Sequence, residues 1–166
     1  MEQLSEELVE ETWQEVALFS PSRGAEEMIK IGKKQPDLLA FMVSFSEELE
    51  EQAKELALYM FLVVYRIFEK GHKKKIKVLK AKEIIKFYDG NETLIEKLEH
   101  AHEKFYDRIT RIQISHQPYV IKYVVDTLFE ESEDKNDSLC LTEEDTGAIF
   151  LMLKTVIDAL DKKTSG

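Results

Sequence analysis

Two Glu-x-x-His pairs are the residues of this 166-residue chain best suited to metal chemistry. Residues three apart project from the same face of a helix, and di-iron bundles use two such pairs with two further glutamates. His102 of Glu99/His102 falls on an apolar helical stripe, whereas Glu69/His72 straddles Gly71 at a predicted helix end. No isolated glutamate lies at the centre of an apolar face. We therefore expect no metal here, and Glu99 and His102 are the better candidates of the two pairs.

A second candidate metal site is the acidic segment that ends at Asp145. Its oxygen-bearing side chains follow a calcium-loop pattern at positions one, three, five and nine, which are Asp134, Asn136, Ser138 and Thr142. The segment lacks the glycine that the pattern needs at position six, and Asp145 replaces the bidentate glutamate at position twelve. A solvated acidic loop that leads into a capped helix explains the same residues. The sequence therefore predicts no metal ion and no other cofactor.

A lysine-rich segment from Lys70 to Lys86 is the third candidate site. Its eight lysines and single acid, Glu83, give it a charge of +7, which leaves −17 for the rest of a chain whose net charge is −10. Such a run can hold phosphates of nucleic acid or of anionic lipid. It has no arginine, and no aromatic residue before Phe87, so base recognition and base stacking are not supported. The candidate anion-binding residues are Lys73, Lys74, Lys75, Lys77 and Lys80.

Two other interpretations of the lysines stay open, a solvated face and a counter-surface for an acidic patch of a second copy. The common catalytic motifs are absent, including the glycine-rich nucleotide loops, Gly-x-Ser-x-Gly and His-Glu-x-x-His. The single cysteine, Cys140, cannot form an internal disulfide, and nearby carboxylates disfavour its thiolate, so we interpret it as a packing residue. These absences argue against an enzyme.

The chain is expected to be cytoplasmic and to stay outside membranes. Its first residues are acidic and do not resemble a secretory signal. The longest unbroken apolar run, Leu56–Tyr65, has ten residues, about half of what a bilayer-spanning helix needs. The acidic net charge also repels nucleic acid and anionic membranes from the chain as a whole.

Composition predicts an all-α fold. Six glycines and three prolines are few for the tight turns that hairpins need. The dominant charged residues, lysine and glutamate, are good helix formers. Apolar residues recur at three- and four-residue steps in segment after segment. We therefore predict a single domain, residues 1–166, in which a bundle of about seven to eight helices surrounds one core.

Capping residues and prolines set the predicted helix boundaries. The helices are expected from Ser5 to a break at Ser20–Gly24, then over Ala25–Lys34, Pro36–Ser46, Glu47–Lys70, Lys75–Tyr88, Glu92–Ile114 and Pro118–Glu131, and finally from Thr142 onwards. Gly71 is expected to cap the fourth helix, and Asp89-Gly90 to separate the fifth from the sixth. The fourth helix is apolar all round between Leu56 and Tyr65, so it is predicted at the centre.

The chain contains a candidate internal repeat. The dipeptide Gln-Pro begins a helix at residue 35 and again at residue 117, and Leu49–Lys70 aligns with Leu141–Lys162 without a gap. We predict two pseudo-symmetric helical halves, residues 35–70 and 117–162, which share one core and are joined through a lysine-rich helix over residues 75–88. A chance resemblance between two amphipathic helices is the alternative.

By elimination, the sequence favours a non-enzymatic helical protein-interaction or structural protein. Its first expected partner is a second copy of itself, because large apolar residues such as Phe41, Phe45, Phe61 and Phe68 are abundant. The alternative is a binder of an anionic ligand or nucleic acid through Lys70–Lys86, although nucleic acid is not favoured. A metal-binding helical bundle ranks third.

Overall fold

The computed structural model describes residues 2–99, 116–133 and 141–164. Within these ranges every regular element is a helix and there is no strand, so the predicted all-α bundle is confirmed. The helices are α1 (Glu6–Ala17), α2 (Pro21–Lys34), α3 (Pro36–Ser46), α4 (Glu51–Gly71), α5 (Ala81–Glu99), α6 (Pro118–Glu133) and α7 (Glu143–Thr164).

Two helices, α4 and α7, form the centre of the bundle. The consecutive residues 60–65 of α4 and 152–157 of α7 are all buried, and the two helices pack against each other. A helix that is buried on every side needs apolar residues around its whole circumference, which is the pattern that predicted α4 as the central helix. That prediction is confirmed, and α7 shares the central position.

The other helices surround this pair. α1 and α3 pack against α4, while α5 and α6 pack against α7. Contacts also cross between the two groups, since α1 touches α6, α3 touches α5, α3 touches α7 and α4 touches α6. α2 lies against α3 and buries only Ile31. One core therefore serves all the described helices.

The predicted helix break at Asp89-Gly90 is wrong, because α5 runs through it without interruption. Gly90 does not adopt the left-handed conformation that a helix-ending glycine favours. Asn91, expected as a cap, is instead buried against α7. Its Nδ2 donates to Asp158 Oδ2 at 3.0 Å, and its Oδ1 accepts from Lys154 Nζ at 2.7 Å. The Asn91 side chain is engaged in these contacts with α7 and therefore does not cap a helix.

The lysine-rich helix predicted over residues 75–88 is wrong in its first part. Residues 72–80 are not helical, and α5 begins at Ala81. Ile76 and Leu79 are buried within this non-helical stretch and attach it to the core. The five lysines of a helix over residues 75–88 would also repel one another, which disfavours the helical alternative.

Three helix ends differ from the prediction by a few residues. α2 begins at Pro21 rather than Ala25, since the Ser20 hydroxyl accepts from the Arg23 N–H at 3.2 Å and caps the helix there. α4 begins at Glu51 rather than Glu47 and includes Gly71 as its last residue. Proline at the first helical position set the start of α3 as predicted.

The large aromatic residues belong to the core. Phe61 and Phe68 are fully buried in α4, Phe41 is buried in α3, and Phe45 is half-buried beside it. The sequence predicts self-association on the strength of these four residues, and their burial removes that reason. A contact between copies has to rest on other parts of the surface.

Truncation of the paired methionines tests the shared core. Met60 in α4 and Met152 in α7 are both buried, at 0% and 2% exposure. Met60→Ala and Met152→Ala are each expected to lower the free energy of unfolding by about 2–5 kcal/mol, because each leaves a cavity in a packed interior. Urea unfolding measures the loss.

The exposed Val43→Ala is the matched control, expected within about 0.5 kcal/mol of the unmodified chain. A methionine variant that costs no more than this control would contradict the shared depth of the two helices.

Candidate functional site

Seven exposed lysines along residues 73–86 form the most distinctive surface of the described chain, called here the lysine surface. Its members are Lys73, Lys74, Lys75, Lys77, Lys80, Lys82 and Lys86. None of them forms an ion pair with any described residue. All five predicted anion-binding lysines belong to this set and are exposed.

A buried glutamine holds the backbone beneath this surface. Gln35, which precedes α3, is fully buried. Its Nε2 donates to the Lys77 carbonyl oxygen at 2.9 Å, and its Oε1 accepts from the Leu79 N–H at 2.9 Å. One side-chain amide thus satisfies two main-chain groups of the non-helical residues 77–80, which we call the second leader because they lead into α5. The lysines of this leader are attached to the core rather than to a free linker.

The start of α5 is fixed by two carboxylates. Asp37 of α3 accepts from the Ala81 N–H at 3.1 Å, and Glu83 accepts from the Lys80 N–H at 3.2 Å. Both bonds satisfy N–H groups that a helix leaves unpaired at its N-terminus. The direction in which α5 leaves the leader is therefore set by contacts with α3.

The single acid of the segment does not neutralise the lysine surface. Both oxygens of Glu83 accept from Lys163 Nζ of α7, at 3.1 and 3.0 Å. This bond to Lys163 lowers the pKa of Glu83 below its usual 4.5, with a further contribution from the bond to the Lys80 N–H. Lys70, at the other end of the predicted segment, pairs with Glu15 at 2.9 Å and so does not belong to the lysine surface.

A second buried glutamine makes the corresponding bonds on the other side of the bundle. Gln117, which precedes α6, accepts from the Leu4 N–H at 2.8 Å through Oε1, and its Nε2 donates to the Glu2 carbonyl oxygen at 3.1 Å. The same Nε2 donates to Asp161 of α7 at 2.8 Å. Residues 2–5, which we call the first leader, are therefore held before α1 as the second leader is held before α5.

Glycine at the end of α4 makes room for the first leader. A Cβ at Gly71 would overlap the Leu4 side chain and lie 3.0 Å from Leu8. A larger residue at this position would force the Leu4 side chain to move from its place in the core. Gly71 thus allows the close approach of Leu4, and the cap of α4 is His72, whose N–H donates to the Phe68 carbonyl oxygen at 3.0 Å.

The candidate metal sites fall only partly within the residues that the structure describes. There, no group of three His, Cys, Asp or Glu side chains is arranged to hold a metal ion. Glu69 pairs with Lys34 at 3.1 Å, and the Asp145 N–H donates to the Thr142 hydroxyl at 3.0 Å, as predicted for a capped helix. Glu99 is the last described residue of α5. His102, Asp134, Asn136, Ser138 and Cys140 lie outside the described residues.

The role of the two glutamines was not predicted from the sequence. The sequence marks Gln35-Pro36 and Gln117-Pro118 as helix starts and as part of the internal repeat, but a glutamine before a helix gives no local sign that its amide binds a distant leader. The recurrence of the dipeptide was the one available signal.

Comparison of the chain with models of known protein families, with curated proteins and with solved structures gives no match. Among the described helices, none combines the length and the apolar character that crossing a membrane requires.

Removal of either glutamine side chain tests how the leaders are held. Gln35→Ala leaves the Lys77 carbonyl and the Leu79 N–H without their partner, and an unpaired buried group costs about 1–3 kcal/mol. We expect a loss of at least about 2 kcal/mol in the free energy of unfolding, and faster hydrogen exchange at the Leu79 amide. Gln117→Ala should do the same for the Leu4 amide.

The exposed Gln14→Ala is the matched control for both variants. A Gln35 or Gln117 variant that is as stable as this control, with unchanged exchange at the leader amide, would contradict the role given to these side chains.

Acid titration tests the ion pair between Glu83 and Lys163. Because the pKa of Glu83 is lower in the folded chain than the usual 4.5, its stabilisation is present above that value and is lost as the pH falls through the folded pKa. The stability difference between the unmodified chain and Glu83→Gln should be constant above about pH 5 and shrink below about pH 4.

Urea unfolding across this pH range measures the difference, with Glu96→Gln, at an exposed position of the same helix, as the control. A Glu83 difference that is independent of pH would show that the ion pair does not form.

Proposed function

We propose that this chain is a non-enzymatic protein-interaction protein, built from two equivalent helical halves, whose lysine surface docks an acidic surface of a protein partner. The observation that carries the proposal is the attachment of the lysines to the core. Gln35 holds their backbone through two hydrogen bonds, and Ile76 and Leu79 anchor it in the interior.

Preorganisation is the physical reason why this attachment matters. A flexible lysine tail loses backbone freedom when it binds, and that loss weakens the complex. In this chain the folded core has already fixed the backbone from residue 76 to α5, so only the lysine side chains are ordered on binding. Lys77, Lys80, Lys82 and Lys86, which form no ion pairs with described residues, then face the partner from a fixed scaffold.

The chemistry of the lysine surface favours an acidic protein over nucleic acid. It has no arginine for bidentate contacts to bases or phosphates. Its nearest tyrosine, Tyr88, packs inward with ring centroids 4.7 Å from Phe45 and 5.8 Å from Phe41, so it is engaged in the core rather than offered for base stacking. Lysine acts as a point charge, which suits a surface of carboxylates.

The proposal of two equivalent halves is supported by matching contacts. The contacts among α1, α3, α4, α5, α6 and α7 have a symmetric pattern. If α1 is exchanged with α5, α3 with α6 and α4 with α7, every described contact among these helices corresponds to a contact that is also present. Gln35 and Gln117 add a reciprocal relation, since each binds the leader of the other half. A chance resemblance of two amphipathic helices does not account for this exchange.

Binding of model polyanions tests the proposed function. Poly-L-glutamate should bind the chain at low salt, and its affinity should fall by at least about tenfold between about 50 and about 200 mM salt, because bound counterions are released. Replacing Lys73, Lys74 and Lys75 by glutamate should abolish binding. Fluorescence anisotropy with labelled poly-L-glutamate measures both effects.

The control reverses three exposed lysines of α2, Lys30, Lys33 and Lys34, and should leave binding within about twofold of the unmodified chain, since surface charge outside the contact acts only weakly. Absence of low-salt binding to poly-L-glutamate would refute the proposal. Tighter binding to duplex DNA, lost in the same lysine variant, would favour the nucleic-acid alternative.

A further inference from the structure

We infer that the acidic partner is a second copy of this chain, which presents the exposed face of α1 and its leader to the lysine surface of its neighbour. The inference rests on the proposed function and adds the identity of the partner. The contact is head to tail, since each copy would use one surface to bind and offer a different surface to be bound.

The two surfaces have the same architecture. In each, the side chain of a buried glutamine bonds to a main-chain carbonyl and to the main-chain N–H two residues later. That N–H belongs to a buried leucine, Leu4 or Leu79, and a helix begins two residues after the leucine. When residues 2–16 are aligned with residues 77–91, the pattern of buried and exposed positions agrees at all but two of the fifteen positions. Equivalent residues therefore have equivalent places on the two surfaces.

The charges at matched exposed positions are opposite. The pairs are Glu2 with Lys77, Glu7 with Lys82 and Glu11 with Lys86. None of these six side chains forms an ion pair with a described residue of its own chain. The acidic side, which also includes Glu6 and Glu10, is called here the acidic surface; Glu6 pairs with Lys122 at 3.3 Å.

The shared architecture makes the two surfaces complementary in spacing as well as in sign. The three glutamates are five and four residues apart, and the three lysines have the same separations on the same leader and helix. An arrangement in which the two segments run in the same direction brings Glu2 near Lys77, Glu7 near Lys82 and Glu11 near Lys86. A partner with unrelated structure would match this spacing only by coincidence.

A single chain cannot bring its own two surfaces together. α1 and its leader pack on α4 and α6, whereas α5 and its leader pack on α7 and α3. Each copy therefore keeps one acidic and one lysine surface, and association continues until a ring closes or a filament forms. Exposed ion pairs are individually weak and are screened by salt, so the association is reversible and requires low ionic strength.

Charge reversal on each surface, followed by mixing, is the test. Glu7→Lys with Glu11→Lys removes the acidic surface, and Lys82→Glu with Lys86→Glu removes the lysine surface. Each variant alone should sediment as a monomer of about 19.4 kDa, while the unmodified chain forms larger species whose mass increases with concentration at about 50 mM salt.

Mixing the two variants gives the decisive outcome. The lysine surface of the first variant can still bind the acidic surface of the second, and the surface reversed by Glu7→Lys with Glu11→Lys is complementary to the surface reversed by Lys82→Glu with Lys86→Glu. An equal mixture should therefore recover the larger species, with the two variants alternating along the assembly. The mixture should return to monomers at about 1 M salt, where the screening length is about 3 Å.

Controls reverse exposed charges elsewhere, Glu47 and Glu48 in one chain and Lys30 and Lys33 in another, and these chains should associate like the unmodified one. Circular dichroism checks that every variant keeps its helical content. If a reversed variant does not fold, the neutral variants Glu7→Gln with Glu11→Gln and Lys82→Gln with Lys86→Gln replace it, and each should weaken association at least about tenfold, since the charged groups supply the attraction.

The outcomes separate this inference from the proposed function. An unmodified chain that stays at 19.4 kDa at low salt, or variants that remain monomeric when mixed, would refute the second copy as partner. If poly-L-glutamate still bound the lysine surface, the proposed function would stand, and only the second copy as partner would be refuted. Association that is unaffected by either reversal would refute the inference as well, because it would place the contact elsewhere.

Discussion

Two buried glutamine amides hold the two leaders, residues 2–5 and 77–80, against the core of this chain. Each leader is a short non-helical stretch whose carbonyl and N–H groups lie against the core, where an unpaired group is costly. Gln35 and Gln117 supply one donor and one acceptor apiece, so each amide satisfies both main-chain groups. This bonding holds both leaders against the core, and the charged side chains of the leaders remain exposed.

Buried side chains occupy the centre of the bundle, and the charged side chains of the two leaders lie on its surface. α4 and α7 are buried on all sides at their middle turns, and the one lysine buried there, Lys154, bonds to Asn91 at 2.7 Å and to Asp158 at 2.8 Å. A buried charge that is paired in this way links α5 to α7 and is not available for chemistry. The charges proposed to bind a partner lie on the leaders and the helices that come after them, with lysines on one side and glutamates on the other.

Helix starts and the position of the central helix depend on local interactions, and local signals in the sequence predicted them. Proline after Gln35 marked the start of α3, Thr142 marked the start of α7, and the apolar run in α4 marked the centre. The predictions that failed depend on partners far along the chain: Asn91 bonds to residues more than sixty positions away, and Gln35 bonds to residues more than forty positions away. The bond between Glu83 and Lys163, which takes the single acid of the lysine-rich segment away from its lysines, could not be inferred from spacing.

The proposed contact between the lysine surface of one copy and the acidic surface of another can be detected by isotope-resolved cross-linking. Equal amounts of unlabelled chain and chain labelled with heavy nitrogen are mixed at low salt and treated with a carbodiimide, which joins a carboxylate to an amine in direct contact. We expect linked peptides of mixed isotope composition that join Lys77, Lys82 or Lys86 to Glu2, Glu7 or Glu11. Links of mixed composition between other regions, or links formed only within one chain, would contradict the contact.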